Sequence, residues 1–536
     1  MERENRTDGG PRAAAHPIAL VIVMAGGLLI GTAGEASTPA GHEWTVAEVE
    51  AALASGTTTA TELERSYERR IETIDRHGAT LRSILEVNPE ASVIARALDR
   101  SRGKGEKRPL FGVPVLLKDN IDTADRMHTT AGSLALLESN PAKDALLVRR
   151  LRDAGAVILG KTNLSEWANF RSTRSSSGWS ARGGQTRNPY ILDRNPCGSS
   201  AGSAVAVAAN LTVVAVGTET NGSIVCPASA NGIVGLKPTV GLVPRSGIIP
   251  IAASQDTAGP MARSVADAAA LLTVIAGYDP EDPATAPLRD RPPPDYRAFL
   301  DAASLRGARI GVLRKFAGFH EAVDVVFERT LAMLRAQGAT LIDAELADDD
   351  AQQKDRQLVL QCEFKDGIAR YLATRVGPGP KTLADLIAFN DAHAAEEMPY
   401  FRQERMVESE ACPGLDDPKY VAAHAHLKSQ AQEAIDAALA KDHLDALIAP
   451  TLGPAWSIDL LNGGHGTGSG LSTPPAVAGY PHLTVPMGDV EGLPVGLSFL
   501  GSAWSEGRLI SLAYAFEQAT HARRPPRFLP MLAERH

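Results

Sequence analysis

Apolar positions recur with a helical period from Thr45 to about residue 100 and then give way to short, wholly apolar runs. Thr45 and Glu48 form a capping-box pattern, which predicts that a helix begins there. Residues 111–117 and 156–159 are apolar runs of strand length, so they predict buried strands. Because such patterns alternate to the end of the chain, the sequence predicts an α/β architecture.

Two segments interrupt this alternation. Residues 171–202 are rich in Ser, Gly, Arg and Asn, and a connection of that length inside a domain is more often functional than not. Residues 278–295 are rich in Pro and Asp and predict a surface connector. The chain contains no internal repeat, so a solenoid or a propeller is not indicated.

The composition is that of a globular protein, with 44% hydrophobic and 22% charged residues among 536. It excludes a disordered chain, a collagen-like fibre and a polytopic membrane protein. The 54 basic and 63 acidic residues give a formal charge of −9, without a basic tail. This charge argues against a nucleic-acid partner.

The N-terminus resembles a secretory signal. Three arginines occur in the first 12 residues, residues 18–30 are apolar, and small residues surround Ala36. This order of segments predicts a signal peptide over residues 1–36 and export to the periplasm or the medium. An uncleaved membrane anchor and a wrongly chosen start codon are the alternatives.

The four cysteines have no CxxC spacing, and no HExxH motif occurs, so we expect no metal. Cys197 and Cys226 flank the serines discussed below. We interpret both as small buried fillers. A disulfide or a reactive thiol is the alternative, since export would make disulfides possible.

Two short motifs match the consensus sequences of well-known sites but lie in the wrong structural context. Residues 155–162 fit GxxxxGK[ST], but the interior is apolar, as in a strand, whereas a phosphate-binding loop follows a strand. Residues 198–202 fit GxSxG with Ser200 at the centre, but a polar turn precedes them where a nucleophile elbow needs a strand. We reject both interpretations.

The segment from Cys197 to residue 238 carries the candidate chemistry. Ser199 and Ser223 lie 24 residues apart in Gly-rich turns, with a small-residue helix and a strand between them. The turn over residues 217–227 can direct successive backbone N–H groups at one point, as an oxyanion requires. Ser223 stands at the end of that turn, where a nucleophile would belong.

These residues belong to motifs that resemble the amidase signature family. The matching segments are residues 112–120, 198–203, 217–224, 232–239, 255–264, 478–481 and 492–496. The resemblance covers residues 44–525, which leaves residues 526–536 as a tail, and it implies a single large α/β/α domain with a central mixed sheet covered by helices. Within the family, residues 163–170, 217–226 and 503–505 are most similar to the bacterial peptide amidases.

The resemblance implies a Ser–cis-Ser–Lys triad without a cofactor. Ser223 would be the nucleophile, Ser199 the bridging serine with a cis peptide bond, and Lys118 the terminal base. Lysine can act as a base only when it is neutral, and burial favours that form. Asp119 would oppose neutrality if its carboxylate pointed inward. The implied oxyanion-hole amides are those of Thr220, Asn221, Gly222 and Ser223.

Three residues depart from the commoner family pattern. Asn221 replaces a glycine, Glu219 replaces a shorter aspartate, and Val225 stands where most members have arginine. We interpret the last two as linked through a missing acid–arginine contact. In addition, Asn169 is a candidate for a hydrogen bond to a substrate amide, with a structural turn role as the alternative.

Together these features predict an exported amidase that hydrolyses carboxamides through an acyl-enzyme and releases ammonia. The resemblance favours the C-terminal amides of peptides as substrates, with no obligatory protein partner. One alternative is that the chain is a component of a tRNA-dependent amidotransferase. A non-catalytic periplasmic peptide-binding protein is another, and the presence of Lys118, Ser199 and Ser223 argues against it.

Overall fold

The computed structural model describes residues 41–103, 108–347, 352–468 and 470–533. The predicted signal peptide, residues 1–36, lies outside these ranges. Residues from Glu43 onward form one compact unit. Across the described ranges, no helix combines the length and the apolar character needed to cross a bilayer.

Helices and strands alternate along much of the described chain, and the four helices from residue 383 to residue 441 follow one another without a strand. Three of the helices begin with a capping box, in which Thr45, Thr59 and Thr382 each accept a hydrogen bond from the third helical residue. The helices are α1 (Val46–Ser55), α2 (Ala60–Arg70), α3 (Ala91–Ser101), α4 (Leu146–Asp153), α5 (Ala201–Ala208), α6 (Val225–Ala230), α7 (Val265–Ile275), α8 (Glu321–Ala336), α9 (Gln353–Leu372), α10 (Leu383–Ala392), α11 (Ala394–Glu397), α12 (Glu404–Glu410), α13 (Pro418–Lys441), α14 (Thr473–Ala478) and α15 (Glu506–Thr520).

The strands are mostly short and buried on both faces. They are β1 (Ile84–Val87), β2 (Pro114–Lys118), β3 (Asn140–Pro141), β4 (Val157–Thr162), β5 (Trp179–Ser180), β6 (Gly184–Gln185), β7 (Val214–Glu219), β8 (Val234–Lys237), β9 (Thr257–Ala262), β10 (Arg309–Val312), β11 (Thr340–Asp343), β12 (Arg375–Val376), β13 (Ala446–Pro450), β14 (His482–Val490) and β15 (Leu493–Leu500).

Eleven of these strands form one mixed sheet in the order β1–β4–β2–β7–β9–β8–β14–β15–β13–β10–β11. Strand β2 lies between β4 and β7 and is parallel to both. Parallel pairing occurs again where β10 meets β11 and β13, and the remaining pairs are antiparallel. The single α/β domain with a helix-covered mixed sheet, which the sequence predicts, is confirmed.

Small residues let α5 pack directly against the sheet. Every residue of this helix is buried. A Cβ atom at Gly202 would collide with the backbone oxygens of Ser83 and Asn163, so only glycine fits there. This close approach brings the start of α5, and with it Ser199, against the ends of the neighbouring strands.

Neither of the two rejected motifs forms the site whose consensus it matches. The end of the first is strand β4, and its Lys161 is buried, with Nζ 2.7 Å from Ile121 O and 2.7 Å from Thr129 Oγ1. The lysine therefore lies within the core and cannot reach a phosphate from solvent. Residues 193–200, which precede α5 in the second motif, contain no strand, so no nucleophile elbow forms.

All four cysteines are paired. Disulfides join Cys197 to Cys226 and Cys362 to Cys412. Our interpretation of Cys197 and Cys226 as separate buried fillers is therefore wrong. They lie 29 positions apart in sequence, with Cα atoms 6.0 Å apart, because the segment before α5 packs beside the first turn of α6.

The C-terminal segment is attached to the domain. Phe528 N donates to Pro189 O at 2.9 Å, and Leu529 N donates to Tyr190 O at 3.1 Å. Leu192 N donates in turn to Leu529 O at 2.8 Å. Residues beyond the predicted domain end at 525 thus pack beside the segment that leads to Ser199.

Candidate active site

Lys118 ends strand β2 and is fully buried. Its Nζ lies 2.7 Å from Ser199 Oγ, 2.8 Å from Thr218 Oγ1 and 3.2 Å from Thr218 O. Thr218 is in β7, the parallel neighbour of β2, so the two strands present these groups at the same edge of the sheet.

The three partners of Lys118 fit both protonation states, because an ammonium can donate to all three oxygens and a neutral amine can donate to two and accept from the third. A neutral amine has two N–H donors and one lone pair, whereas an ammonium has three donors and no acceptor. Thr218 O can only accept, and Thr218 Oγ1 can accept the second N–H. In the neutral form the lone pair accepts the hydroxyl proton of Ser199, and Ser199 Oγ can then accept another proton.

Burial shifts Lys118 toward this neutral form. Removal from water lowers its pKa from 10.5 to about 7, against the opposing effect of the carboxylates of Glu219 and Asp256. Asp119, the immediate neighbour, makes its contacts elsewhere, because its carboxylate accepts from Thr130 Oγ1 and pairs with Arg182 Nη1 at 3.2 Å.

Ser199 follows a cis peptide bond from Gly198, as the family resemblance implies. The loop is tightly enclosed, since a Cβ atom at Gly198 would collide with Ser165 Oγ. Ser165 N donates to Ser199 O at 3.0 Å, and Ser200 N donates to Ser223 O at 3.1 Å. The last bond fixes the segment that carries Ser199 to the segment that carries Ser223.

Ser223 lies between β7 and α6 and is 8% exposed. Its hydroxyl makes no hydrogen bond to any residue in the described part of the chain, so it is not tied to Ser199 Oγ in this conformation. Cys226, three positions later, is bonded to Cys197, two positions before Ser199. The two candidate catalytic serines are therefore linked both by a backbone hydrogen bond and by a disulfide.

The turn before Ser223 folds around the carboxylate of Glu219. Glu219 Oε1 accepts from Gly222 N at 2.8 Å, and Oε2 accepts from Ile224 N at 2.6 Å and Val225 N at 3.0 Å. Three backbone amides thus satisfy this buried acid. They take the place of the arginine contact that valine at 225 cannot make.

This geometry changes the set of candidate oxyanion donors. Gly222 has a single N–H, which the Glu219 carboxylate already accepts, so the predicted oxyanion role of Gly222 finds no support here. The N–H groups of Thr220, Asn221 and Ser223 have no protein acceptor among the described residues. They are the donors of this turn that remain available to an oxyanion.

A cavity of about 680 Å³ opens at the carboxyl ends of β2 and β7. Lys118, Ser199 and Ser223 do not line it, but Thr218, which accepts from Lys118, and Thr220, three positions before Ser223, are part of its wall. The rest of its wall includes Ala168, Ile248, Ile249, Ile251, Asp256 and Tyr371.

A model of the Amidase family matches residues 62–510, which is most of the chain. The chain belongs to the amidase family. As a member it is an amidohydrolase, as the sequence predicts. The match includes the three candidate triad residues and the complete turn around Glu219.

The amidase is similar to known proteins of more than one kind. A peptide amidase from Stenotrophomonas maltophilia is 55% identical, with a TM-score of 0.86 over 91% of this chain and 99% of that chain. A probable amidase of Arabidopsis thaliana is 39% identical over 96% of this chain and 97% of its own length. A glutamyl-tRNA(Gln) amidotransferase component from Moorella thermoacetica is 37% identical over 85% of this chain and 93% of its length.

The carboxamide of Asn169 in the amidase is bonded through one of its two polar atoms. Its Nδ2 donates to Ser177 Oγ at 3.0 Å, whereas its buried Oδ1 has no partner among the described residues. Trp167, Ala168 and Asn169 all have positive φ values, from 49° to 71°, which are uncommon for residues other than glycine. The substrate contact predicted for Asn169 stays a prediction.

Two residues of the amidase site were missed at the level of sequence. Thr218 holds Lys118 through two oxygens, and Asp256 Oδ1 accepts from Thr220 Oγ1 at 2.5 Å beside the oxyanion turn. Both lie inside family motifs, at positions 217–224 and 255–264. Their place in those motifs was the one sequence feature that could have identified them. No known spacing of residues connects Asp256 to Thr220.

Proposed function

We propose that this amidase hydrolyses the C-terminal carboxamide of peptides through an acyl-enzyme on Ser223 and releases ammonia. The observation that carries the mechanism is the buried, hydrogen-bonded pair of Lys118 Nζ and Ser199 Oγ at 2.7 Å, beside the turn of Ser223. The substrate class is supported by the 55% identity to a peptide amidase, against 37% to a component of a tRNA-dependent amidotransferase.

In the attack step, the Ser223 hydroxyl turns toward Ser199 and adds to the carboxamide carbon. The proton of Ser223 passes to Ser199 Oγ, and the proton of Ser199 passes to the lone pair of Lys118. Lys118 becomes an ammonium that still donates to Thr218. The N–H groups of Asn221 and Ser223 stabilise the negative oxygen of the tetrahedral intermediate.

Collapse of that intermediate breaks the C–N bond. The Lys118 ammonium returns its proton through Ser199 to the departing nitrogen, which leaves as ammonia, and Lys118 is neutral again. A water molecule then adds to the acyl-enzyme by the same relay. This second addition releases the peptide acid and restores the Ser223 hydroxyl.

The cavity suits the acyl part of such a substrate. Its volume of about 680 Å³ is in the range of small-ligand sites, and Ile249 and Ile251 give it an apolar wall. Its charged residues have protein partners. Asp122 accepts from Tyr371 Oη at 2.7 Å, and Asp256 accepts from Thr220. The other charges of the wall are in ion pairs: Lys143 with Glu281, Arg245 with Asp282, and Arg370 with Asp366. We therefore expect uncharged peptide side chains to bind there better than charged ones.

A substrate panel tests this function. The purified single chain should release ammonia from amidated di- and tripeptides with a kcat/KM at least about tenfold above that for free amino acid amides, because the cavity binds the additional residues. Ammonia release is measured by an enzyme-coupled assay. Glutamine with misacylated tRNA is the comparison substrate pair. Activity on that pair alone, and only with added partner proteins, would establish the amidotransferase alternative.

We also propose export through residues 1–36. The support is the order of charged, apolar and small residues in that segment, together with two disulfides in the described chain, which persist in oxidising compartments. Expression of the full chain in a bacterial host, followed by fractionation and mass spectrometry, should give a mature N-terminus near residue 37 outside the cytoplasm. An intact N-terminus on cytoplasmic protein would contradict export.

A further inference from the structure

Asn221 has a side chain where the commoner family pattern has glycine, and that side chain makes two hydrogen bonds. Its Oδ1 accepts from Ser472 Oγ at 2.7 Å, and its Nδ2 donates to Thr473 Oγ1 at 3.1 Å. These partners are consecutive residues that lie more than 250 positions away in sequence. A single carboxamide thus joins the oxyanion turn to a distant segment of the chain.

The partner segment is firmly attached to the domain. Ser472 precedes α14, in which Pro475, Ala476 and Ala478 are buried. The end of this helix is tied by Gln432 Nε2, which donates to Ala478 O at 3.0 Å, and by Val240 N, which donates to Gly479 O at 3.0 Å. Asn221 is therefore bound to a fixed element.

The local sequence of α14 explains why Ser472 is free to serve Asn221. A serine before a helix usually accepts from the backbone N–H of the second or third helical residue. Here those residues are Pro474 and Pro475, which have no N–H, and Ser472 makes no capping hydrogen bond through its side chain. Its hydroxyl instead donates to Asn221 Oδ1.

The oxyanion turn is held from two further directions. Glu219 binds the amides of residues 222, 224 and 225 from within. Thr220 Oγ1 donates to Asp256, whose other oxygen accepts from Ile251 N at 2.8 Å and Ala252 N at 2.9 Å. Only the exposed side of the turn would lack support if residue 221 were glycine, and Asn221 supplies it.

We propose that the Asn221 side chain is a positioning group that fixes the Asn221 and Ser223 amides for the oxyanion by clamping their turn to Ser472 and Thr473. The inference rests on the proposed function and names a residue through which that site is ordered. Donors stabilise a developing charge best when they need no reorientation during the reaction. The clamp therefore acts on the transition state and leaves the binding of the ground-state amide largely unchanged.

The test uses variants of the full-length protein assayed on an amidated dipeptide. Asn221→Ala and Asn221→Gly should each lower kcat by roughly tenfold with little change in KM, since both keep the backbone N–H and remove the clamp. Ser472→Ala should have a smaller effect, and Asn221→Ala with Ser472→Ala should be no worse than Asn221→Ala alone. The matched control is Asn462→Ala, an exposed asparagine that bonds Asp459 and should leave kcat unchanged.

A reactive probe separates positioning from substrate contact. A peptide aldehyde forms a hemiacetal with the nucleophilic serine, and its oxyanion occupies the same donors. Its inhibition constant should rise about tenfold in Asn221→Ala, whereas that of the matching peptide alcohol should not change. Circular dichroism and thermal unfolding of each variant confirm that the fold is intact.

Three results would overturn the clamp. One is a raised KM with an unchanged kcat, which would make Asn221 a substrate contact. A second is a loss of kcat in the double variant that equals the product of the losses in Asn221→Ala and Ser472→Ala. The third is a loss of kcat in Asn221→Gly but not in Asn221→Ala, which would reflect backbone flexibility only. Failure of the proposed function is a separate result, since it would show as activity that survives Ser223→Ala.

Discussion

Replacing Ser223 by alanine should reduce kcat on an amidated dipeptide by at least about 10⁴-fold, with KM nearly unchanged. The hydroxyl is the proposed attacking atom, so its loss removes the acyl-enzyme route, while the cavity and the turn amides still bind the substrate. Steady-state ammonia release measures the loss. Alanine is smaller than serine and Ser223 is 8% exposed, so we expect the folded structure to persist.

A companion series tests whether the three residues act as one unit. Ser199→Ala should cost about 10²–10⁴-fold, because it interrupts proton transfer without removing the nucleophile. The double variant with Ser223→Ala should be no slower than Ser223→Ala alone, since groups that act together give strongly non-additive losses. If Ser223→Ala kept wild-type kcat, the nucleophile assignment would be wrong.

The activity of the wild-type enzyme should fall on the acid side with an apparent pKa near 7. Burial lowers the pKa of Lys118 to about 7, and only the neutral amine can accept the proton from Ser199. Below that pH the amine is charged in most molecules, so kcat/KM should decrease about tenfold per pH unit. Above it, kcat/KM should reach a plateau. Initial rates from pH 5 to pH 9 at low substrate concentration give this profile.

Lys118→Met removes the amine while it keeps a chain of similar length in the buried site. We expect a loss of about 10²–10⁴-fold at pH 8 and no acid limb near pH 7 in the residual activity. Burial also raises the pKa of Asp256 to about 6, so this acid is the competing source of a limb. In Asp256→Asn the limb should therefore persist and move to a lower pH, because Lys118 loses a carboxylate that raises its pKa. An acid limb that is absent in Asp256→Asn but present in Lys118→Met would show that the limb does not belong to Lys118.

The amidase site depends on contacts that are far apart in sequence. Lys118 and Thr218 are 100 positions apart, and parallel pairing of β2 with β7 brings them together. Asn221 and Ser472 are separated by 251 positions. The number of possible pairings over such distances is large, so local patterns cannot select them.

The pairing of the cysteines illustrates the same limit. Spacings of 29 and 50 residues fit no local motif, and a buried cysteine alone behaves as a small apolar residue. The disulfide between Cys197 and Cys226 forms because two segments, one before and one after β7 in the chain, contact each other. No local pattern in the sequence shows that contact.

Local patterning was sufficient for many of the elements and for the residue types of the chemistry, although strand β1 (Ile84–Val87) lies inside the stretch for which the sequence predicted a helical period. The capping box at Thr45 and the apolar runs identified a helix and buried strands, because both signals depend on neighbours in the chain. The Gly-rich motifs around Ser199 and Ser223 singled out the candidate serines. The tertiary structure decided which groups those residues meet: it buried Lys118 against Ser199 and Thr218, gave the Gly222 amide to Glu219, and placed Ser472 and Thr473 against Asn221. Protonation state and hydrogen-bond partner both depend on the complete three-dimensional surroundings of a group, and only folding assembles those surroundings.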